Sequence, residues 1–318
     1  MNLGVMGAGW WGTNIINSLE LIPEVERVVV FDERKEVREK FRQSTKAGFA
    51  GSADELLQDA SVDAVCLATP PETHYPYSKR VLLAGKHLMV EKPPAREAAQ
   101  VRELGEIAKT ANLVYMIDAL YLFLEPVQRM KEMIASRELR NIRAVEMFRV
   151  GDELRRAGSG IERLERTMLA NGIDVVEDLF FHDAAILLDF FGDFRHVSTE
   201  RSFMYHPSLC DTARIRLETA QGIPVELLLS WVLAGRRRGI VIYDHDSLVE
   251  YDGLKSSGQL TVHHVRENRL ETLSFGNTPP LTSMLHFFVH CIKGEKRNHL
   301  DSALMERLVA HWKEIREG

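Results

Sequence analysis

The chain has 318 residues, 45% hydrophobic and 27% charged, which is enough apolar material for two cores and too much for a disordered protein. A formal net charge of −6 gives no basic footprint for nucleic acid or an anionic membrane, and no apolar run approaches the ~20 residues that span a bilayer. Cys66, Cys210 and Cys291 are too scattered for a disulfide framework or a metal motif, and the N-terminus enters a core strand with no leader pattern, so a reduced, cytoplasmic protein is expected.

Residues 3–6 read as an apolar strand and residues 11–21 as a helix, joined by Gly7-Ala8-Gly9-Trp10-Trp11-Gly12. A second apolar run, residues 28–31, ends in Asp32. Strand, glycine turn, helix and an acid twenty residues past Gly12 form a dinucleotide fingerprint. Gly7 permits the tight turn, Gly9 lets main chain approach a pyrophosphate, and Gly12 lets helix and strand pack closely. The helix N-terminus then receives the pyrophosphate, with Trp10 and Trp11 flanking it. Asp32 is placed to accept from adenosine ribose hydroxyls and would repel a 2′-phosphate, which favours NAD over NADP.

Helices follow at residues 35–44, 53–58, 75–84 and 97–110, and strands at 64–67, 87–90 and 113–116. Short continuous apolar runs alternating with helices predict a doubly wound parallel sheet. Thr69 and Pro70, past the fourth strand position, are expected on the nicotinamide ribose side. Glu91-Lys92-Pro93 ends the next strand, where open parallel sheets bind ligands. Lys92 could donate to a substrate oxygen, and Lys92-Pro93 is a candidate cis peptide. Position alone fits a surface lysine before a proline turn equally well.

Past residue 118 the rhythm changes. A helix is predicted over 126–136, a strand over 142–150, a polar stretch over 151–172 and a long helix over 173–191. Strand-like runs then fill 195–265, at 211–219, 225–232, 238–243, 248–251 and 259–265, before helices at 281–293 and 302–315. The division expected is a Rossmann domain, residues 1–118, and an α+β domain, 119–318, built on a large open, mostly antiparallel sheet. An alternating apolar face on that sheet suggests self-association, as a homodimer or homotetramer.

In the long helix Asp178 and His182 lie four apart, on one face, where the carboxylate could orient an imidazole that exchanges a proton. Such a pair also serves structure alone. Tyr121 could line the cleft or pack the domain junction. Arg155, Arg156 and Arg163, in the polar stretch, could clamp an anion or lie in a solvated loop. Arg236-Arg237-Arg238 reads as a charged turn. His263 and His264 alternate along a strand, so no metal is expected there.

The fingerprint, Ala68-Thr69-Pro70-Pro71 with His74, Gly85-Lys86-His87 leading into Glu91-Lys92-Pro93, and the Asp178/His182 pair occur in one order that resembles the Gfo/Idh/MocA oxidoreductases. The resemblance spans nearly the whole chain and is most specific from Ala68 to Pro93. It implies hydride transfer between a nicotinamide cofactor and a secondary alcohol of a sugar, polyol or nucleotide sugar. Lys92, Asp178 and His182 would then be the catalytic residues, with His74, Glu91 and Lys92 at the cofactor site. Gly9-Trp10-Trp11-Gly12-Thr13-Asn14, Asp174-Val175-Val176-Glu177-Asp178 and Ser230-Trp231 are further similar to dehydrogenases of UDP-linked hexosamine uronates. Ile117-Asp118, Leu124-Glu125-Pro126, Glu177 and Phe181 depart from that branch. Reduction of a C=N or conjugated C=C bond, or dinucleotide sensing without turnover, are the competing readings.

Overall fold

The structure, a computed structural model, describes residues 1–34, 36–37, 46–151, 172–205, 207–254, 258–276 and 278–317. Two compact units emerge: Met1–Leu120 with Thr278–Ala310, and Tyr121–Asn277 with His311–Gly318. Thr278–Ala310 thus groups with the first unit, where the sequence division placed everything past residue 118 in the second.

In the first unit β1 (Asn2–Met6), β2 (Arg27–Phe31), β3 (Ala47–Phe49), β4 (Ala64–Leu67), β5 (His87–Val90) and β6 (Tyr115–Ile117) form one parallel sheet in the order β3-β2-β1-β4-β5-β6. β4 is buried throughout and β5 all but so, because helices cover both faces of their sheet. These helices are α1 (Trp10–Glu20), α2 (Ala53–Gln58), α3 (His74–Leu83) and α4 (Ala98–Thr110), with α7 (Pro280–Ile292) packed on α1. The order reverses between β1 and β4, and the crevice beyond the carboxyl ends of those strands is where this architecture binds ligands. The helix expected over residues 35–44 falls almost wholly outside the described residues. β3 carries no apolar run and was not foreseen from the sequence.

The second unit holds an eight-stranded sheet in the order β14-β13-β12-β11-β7-β10-β9-β8. Its strands are β7 (Ile142–Val150), β8 (Phe194–Ser202), β9 (Thr212–Thr219), β10 (Pro224–Ser230), β11 (Arg237–Asp244), β12 (Ser247–Asp252), β13 (Gln259–His264) and β14 (Arg269–Ser274). Every neighbour pair is antiparallel except the central β7/β10. Helix α6 (Val175–Phe191) packs on β8, β9 and β10, and α5 (Glu125–Ala135) on α6 and β12. Alternation sends Ala213, Ile215, Leu217, Val225, Leu227 and Leu229 into this core. The opposite face at β8–β10 is charged rather than apolar: Arg214 and Arg216 pair with Glu226, Arg216 with Glu200, and Arg195 with Glu218. The face expected to be apolar is therefore a ladder of ion pairs at this end. α8 (Ser302–Glu317) closes the chain. Among the described residues, no helix is long and apolar enough to cross a membrane.

Candidate active site

Each inner strand of the parallel sheet delivers a candidate residue at its carboxyl end. β1 runs into Gly7, which adopts φ 87°, and a Cβ there would lie 2.5 Å from the carbonyl oxygen of Ala68. A Cβ on Gly12 would fall 1.8 Å from the carbonyl oxygen of Gly7, so helix and turn pack at a distance open to glycine alone. At Gly9 the same construction meets only a guanidinium nitrogen of Arg34, at 3.8 Å, leaving space beside the main chain. Gly9 caps α1 without a side-chain hydrogen bond, and the first turn carries no acid. The positive helix end is thus left for an exogenous anion, and this turn fits a dinucleotide pyrophosphate.

β2 delivers Asp32, 6% exposed. Its carboxylate accepts from the Ala8 main-chain N–H at 2.8 Å and from Arg34 through main chain and guanidinium, at 2.9 and 3.0 Å. Burial works to raise its pKa, and hydrogen bonds from Arg34 and Ala8 outweigh that and hold the carboxyl below the ordinary range. Arg34 was not singled out from the sequence, although a basic residue two positions beyond the acid was there to be seen.

β4 delivers Thr69 and Pro70, and His74 follows at the start of α3. His74 is 1% exposed, with Nδ1 2.7 Å from the carbonyl oxygen of Pro93 and Nε2 2.8 Å from that of Thr69. Both ring nitrogens are occupied by main chain, so His74 braces the ends of β4 and β5 and presents no nitrogen to a ligand. Burial lowers its pKa, against the two carbonyl contacts that favour the charged ring. β5 delivers Glu91 and Lys92, and the Lys92-Pro93 peptide is cis.

β6 delivers Asp118, whose sequence position marks only a departure from the hexosamine-uronate branch. It is buried and accepts from the indole N–H of Trp11 at 2.8 Å and the main-chain N–H of Leu120 at 3.3 Å. Trp11 therefore ties α1 to the end of β6, while Trp10 is 74% exposed. Burial raises the Asp118 carboxyl to about 6, with Trp11, Leu120 and the charge of Lys92 working the other way. A carboxyl whose folded value lies above its ordinary 3.8 favours folding less as it ionises, so its contribution falls as pH rises from about 4 to about 6. Relative to Asp118→Asn, which keeps an acceptor for Trp11, the wild type should lose stability across that window, on the order of 2 kcal/mol. Urea unfolding of both proteins from pH 4 to 7 checks this; parallel curves would remove the buried-carboxyl assignment.

In the second unit, Asp174 caps α6 by accepting from the Glu177 N–H at 2.8 Å, and Gly192 ends it at φ 79°. Most of α6 is buried; Asp178, Leu179 and His182 form its half-exposed stripe, with Asp189 one more such position further along. Asp178 accepts from the Trp231 indole N–H at 3.2 Å. The ring of Tyr121 meets that of His182 edge-on at 4.7 Å, and the Arg149 guanidinium lies 4.0 Å over the other ring system, that of Tyr121. Arg149 and Asp183 form a buried ion pair at 2.6 Å. Burial pushes the Asp183 carboxyl up and Arg149 pulls it back.

Arg149 and Arg238 are register partners on β7 and β11. Arg149, Arg236 and Arg238 line a recess with Leu179 and Trp231, whereas Arg237 stacks on Phe148 at 3.8 Å. Of the arginine run, read from the sequence as a charged turn, Arg236, just before β11, and Arg238, on it, join Arg149 in a recess suited to an anion. Arg149, Asp183 and Trp231 gained their place from tertiary pairing that spacing does not reveal. Arg155, Arg156 and Arg163 lie outside the described residues. A larger recess in the first unit, between α3 and α4 near Leu83 and Arg102, lies on the outer helical layer and not at the strand ends.

Two family models match the chain. One, described as an oxidoreductase family with an NAD-binding Rossmann fold, covers residues 1–119, and the other, the GFO/IDH/MocA C-terminal domain, covers residues 127–249. UDP-N-acetylglucosamine 3-dehydrogenase of Acidithiobacillus ferrooxidans is 25% identical over 333 aligned positions, covering 99% of this chain and 96% of the relative. Its crystal structure superposes with a TM-score of 0.82 at 23% identity, over 100% of this chain and 97% of that one. A 3-ketoreductase from Actinomadura kijaniata, in complex with NADP and TDP-benzene, gives a TM-score of 0.86 at 18% identity, over 100% and 97% of the two chains. An uncharacterized oxidoreductase of Synechocystis sp. is 23% identical over 148 residues, 46% of this chain, which spans only 40% of that relative.

Proposed function

Because the chain belongs to the Gfo/Idh/MocA oxidoreductase family, we propose that it is an NAD-dependent dehydrogenase that oxidises a secondary hydroxyl of a nucleotide sugar. The observation that carries this reading is the half-exposed Asp178/His182 stripe on an otherwise buried α6. Burying most of a helix while leaving an acid and an imidazole accessible one turn apart suits proton exchange better than packing.

Lys92, after β5, would hold the reacting oxygen through its ammonium. His182 would take the hydroxyl proton, and Asp178, itself fixed by Trp231, would favour the charged imidazole. Tyr121 would keep the His182 ring in place by edge contact. The nicotinamide, when bound, supplies the hydride acceptor. Gly7, Gly9 and Gly12 would hold its pyrophosphate, Asp32 the adenosine ribose, and Thr69 and Pro70 the nicotinamide side. Arg149, Arg236 and Arg238 would receive the anionic part of the substrate, which is why a nucleotide sugar is preferred to a free hexose. The relative named as a UDP-N-acetylglucosamine 3-dehydrogenase supports the same substrate class. The test is absorbance at 340 nm with NAD and a panel of UDP- and dTDP-sugars, free hexoses and inositols. Reduction with nucleotide sugars is expected, and turnover confined to free sugars or polyols would overturn the substrate class.

For the cofactor, the ionised Asp32 supports NAD by repelling a 2′-phosphate, while the Arg34 guanidinium on that carboxylate supports a second reading in which NADP is accepted. The expected result is a Kd for NADP at least ~10-fold above that for NAD, a difference of about 1.4 kcal/mol, with Arg34→Ala leaving the preference intact. Equal affinities in the wild type, with NADP binding alone weakened by Arg34→Ala, would establish the second reading instead.

A further inference from the structure

In the first unit Glu24, His286 and His290 converge, and we infer that they form a binding site for a divalent transition-metal ion of the zinc type. His286 and His290 lie one turn apart on α7, their rings 6.2 Å apart and inclined by 22°. Glu24 comes from the connection between α1 and β2. One ligand atom from each of the three lies within 4.8 Å of the others. Tetrahedral bonds of about 2.0–2.1 Å need ligand atoms about 3.3 Å apart, which side-chain rotation supplies. All three residues are half-buried, so an ion can enter and water can complete its shell.

Two features point to a ligand. Glu24 Oε2 is shielded from solvent yet has no hydrogen-bond partner, an expensive position for a carboxylate oxygen that a cation would relieve. His290 Nδ1 contacts the carboxylate of Glu295. A proton held on Nδ1 by that carboxylate would leave Nε2 as the ligand atom, the role outer carboxylates play for ligating imidazoles. Lys293 Nζ, 4.0 Å from Glu24 Oε1, is the charge the ion would displace. Two imidazoles and one carboxylate suit zinc and disfavour magnesium or calcium, which take oxygen ligands. Bound metal would pin the connection that follows the fingerprint helix to α7, stabilising the folded unit by mass action.

The test is calorimetric titration of EDTA-treated full-length protein with zinc, on wild type, Glu24→Gln, Glu295→Gln and the double variant His286→Asn with His290→Asn. One zinc per chain is expected in the wild type, with affinity ~10–100-fold weaker in Glu295→Gln and at least that much weaker in Glu24→Gln and the double variant. Zinc should raise the melting temperature of the wild type and not of the double variant. Glu24→Gln leaves both imidazoles and the helix in place, so it decides the matter should the double variant not fold. Cobalt substitution should give d–d absorption without thiolate charge-transfer bands, which separates this site from any at cysteine. Unchanged zinc affinity in Glu24→Gln, or no zinc bound by the wild type at micromolar concentration, would overturn the site.

Discussion

His182→Ala is expected to lower kcat by about 10²–10⁴-fold while leaving the Kd for NAD within a factor of two or so, as removal of a general acid–base group does. Lys92→Ala should fall in the same range, because an ammonium on the reacting oxygen acts where charge develops. Asp178→Asn should cost less, since it weakens the orientation of His182 and leaves the imidazole present. Stopped-flow absorbance with the best nucleotide sugar separates the chemical step from release, and fluorescence titration gives cofactor affinity. Full turnover in His182→Ala would remove the proton-exchange role from this residue.

Arg149→Leu is expected to destabilise the fold by about 3–5 kcal/mol, the usual cost of leaving a buried charge without its partner. Arg149 is 8% exposed and Asp183 2%, so solvent cannot replace the lost guanidinium. One oxygen of Asp183 already lacks a hydrogen-bond partner, which leaves the carboxylate dependent on this ion pair. The sign of the pH dependence follows. Without Arg149 the Asp183 carboxyl rises further above its ordinary 3.8, so the variant loses stability as pH climbs through and beyond that value. The double variant Arg149→Leu with Asp183→Leu should recover most of the loss, because burying two apolar side chains carries no unpaired charge. Urea unfolding at pH 5 and 8 measures both effects. A single variant as stable as the wild type at pH 8 would mean that the pair is not buried as described.

Legibility in the sequence followed burial. β4 and β5 fall on their predicted residues because both faces are covered and their sequences are unbroken apolar runs. β3, β8 and β14 lie at sheet edges; β3 is only three residues long, and in β8 and β14 Arg, Glu, Ser and Thr replace the apolar signal. The fingerprint was readable because Gly7, Gly9, Gly12 and Asp32 answer local demands of one turn and one strand end. The surroundings of the Asp178/His182 stripe were not, since Tyr121 reaches His182, Trp231 reaches Asp178 and Arg149 stacks on Tyr121 from separate elements. Asp118 illustrates the middle case: an acid ending a buried strand is visible as a letter, but its raised carboxyl depends on burial and on Trp11.

The central claim is that a hydride leaves a sugar carbon for the nicotinamide, and isotope transfer tests it most directly. UDP-N-acetylglucosamine carrying deuterium at C3 would be incubated with the protein and NAD, and the reduced cofactor examined by mass spectrometry and proton NMR. One deuteron at nicotinamide C4, with a primary isotope effect on the chemical step, is the predicted result. Reduced cofactor without deuterium would place the reaction at another carbon, and no reduced cofactor with this or any other nucleotide sugar would contradict the dehydrogenase assignment.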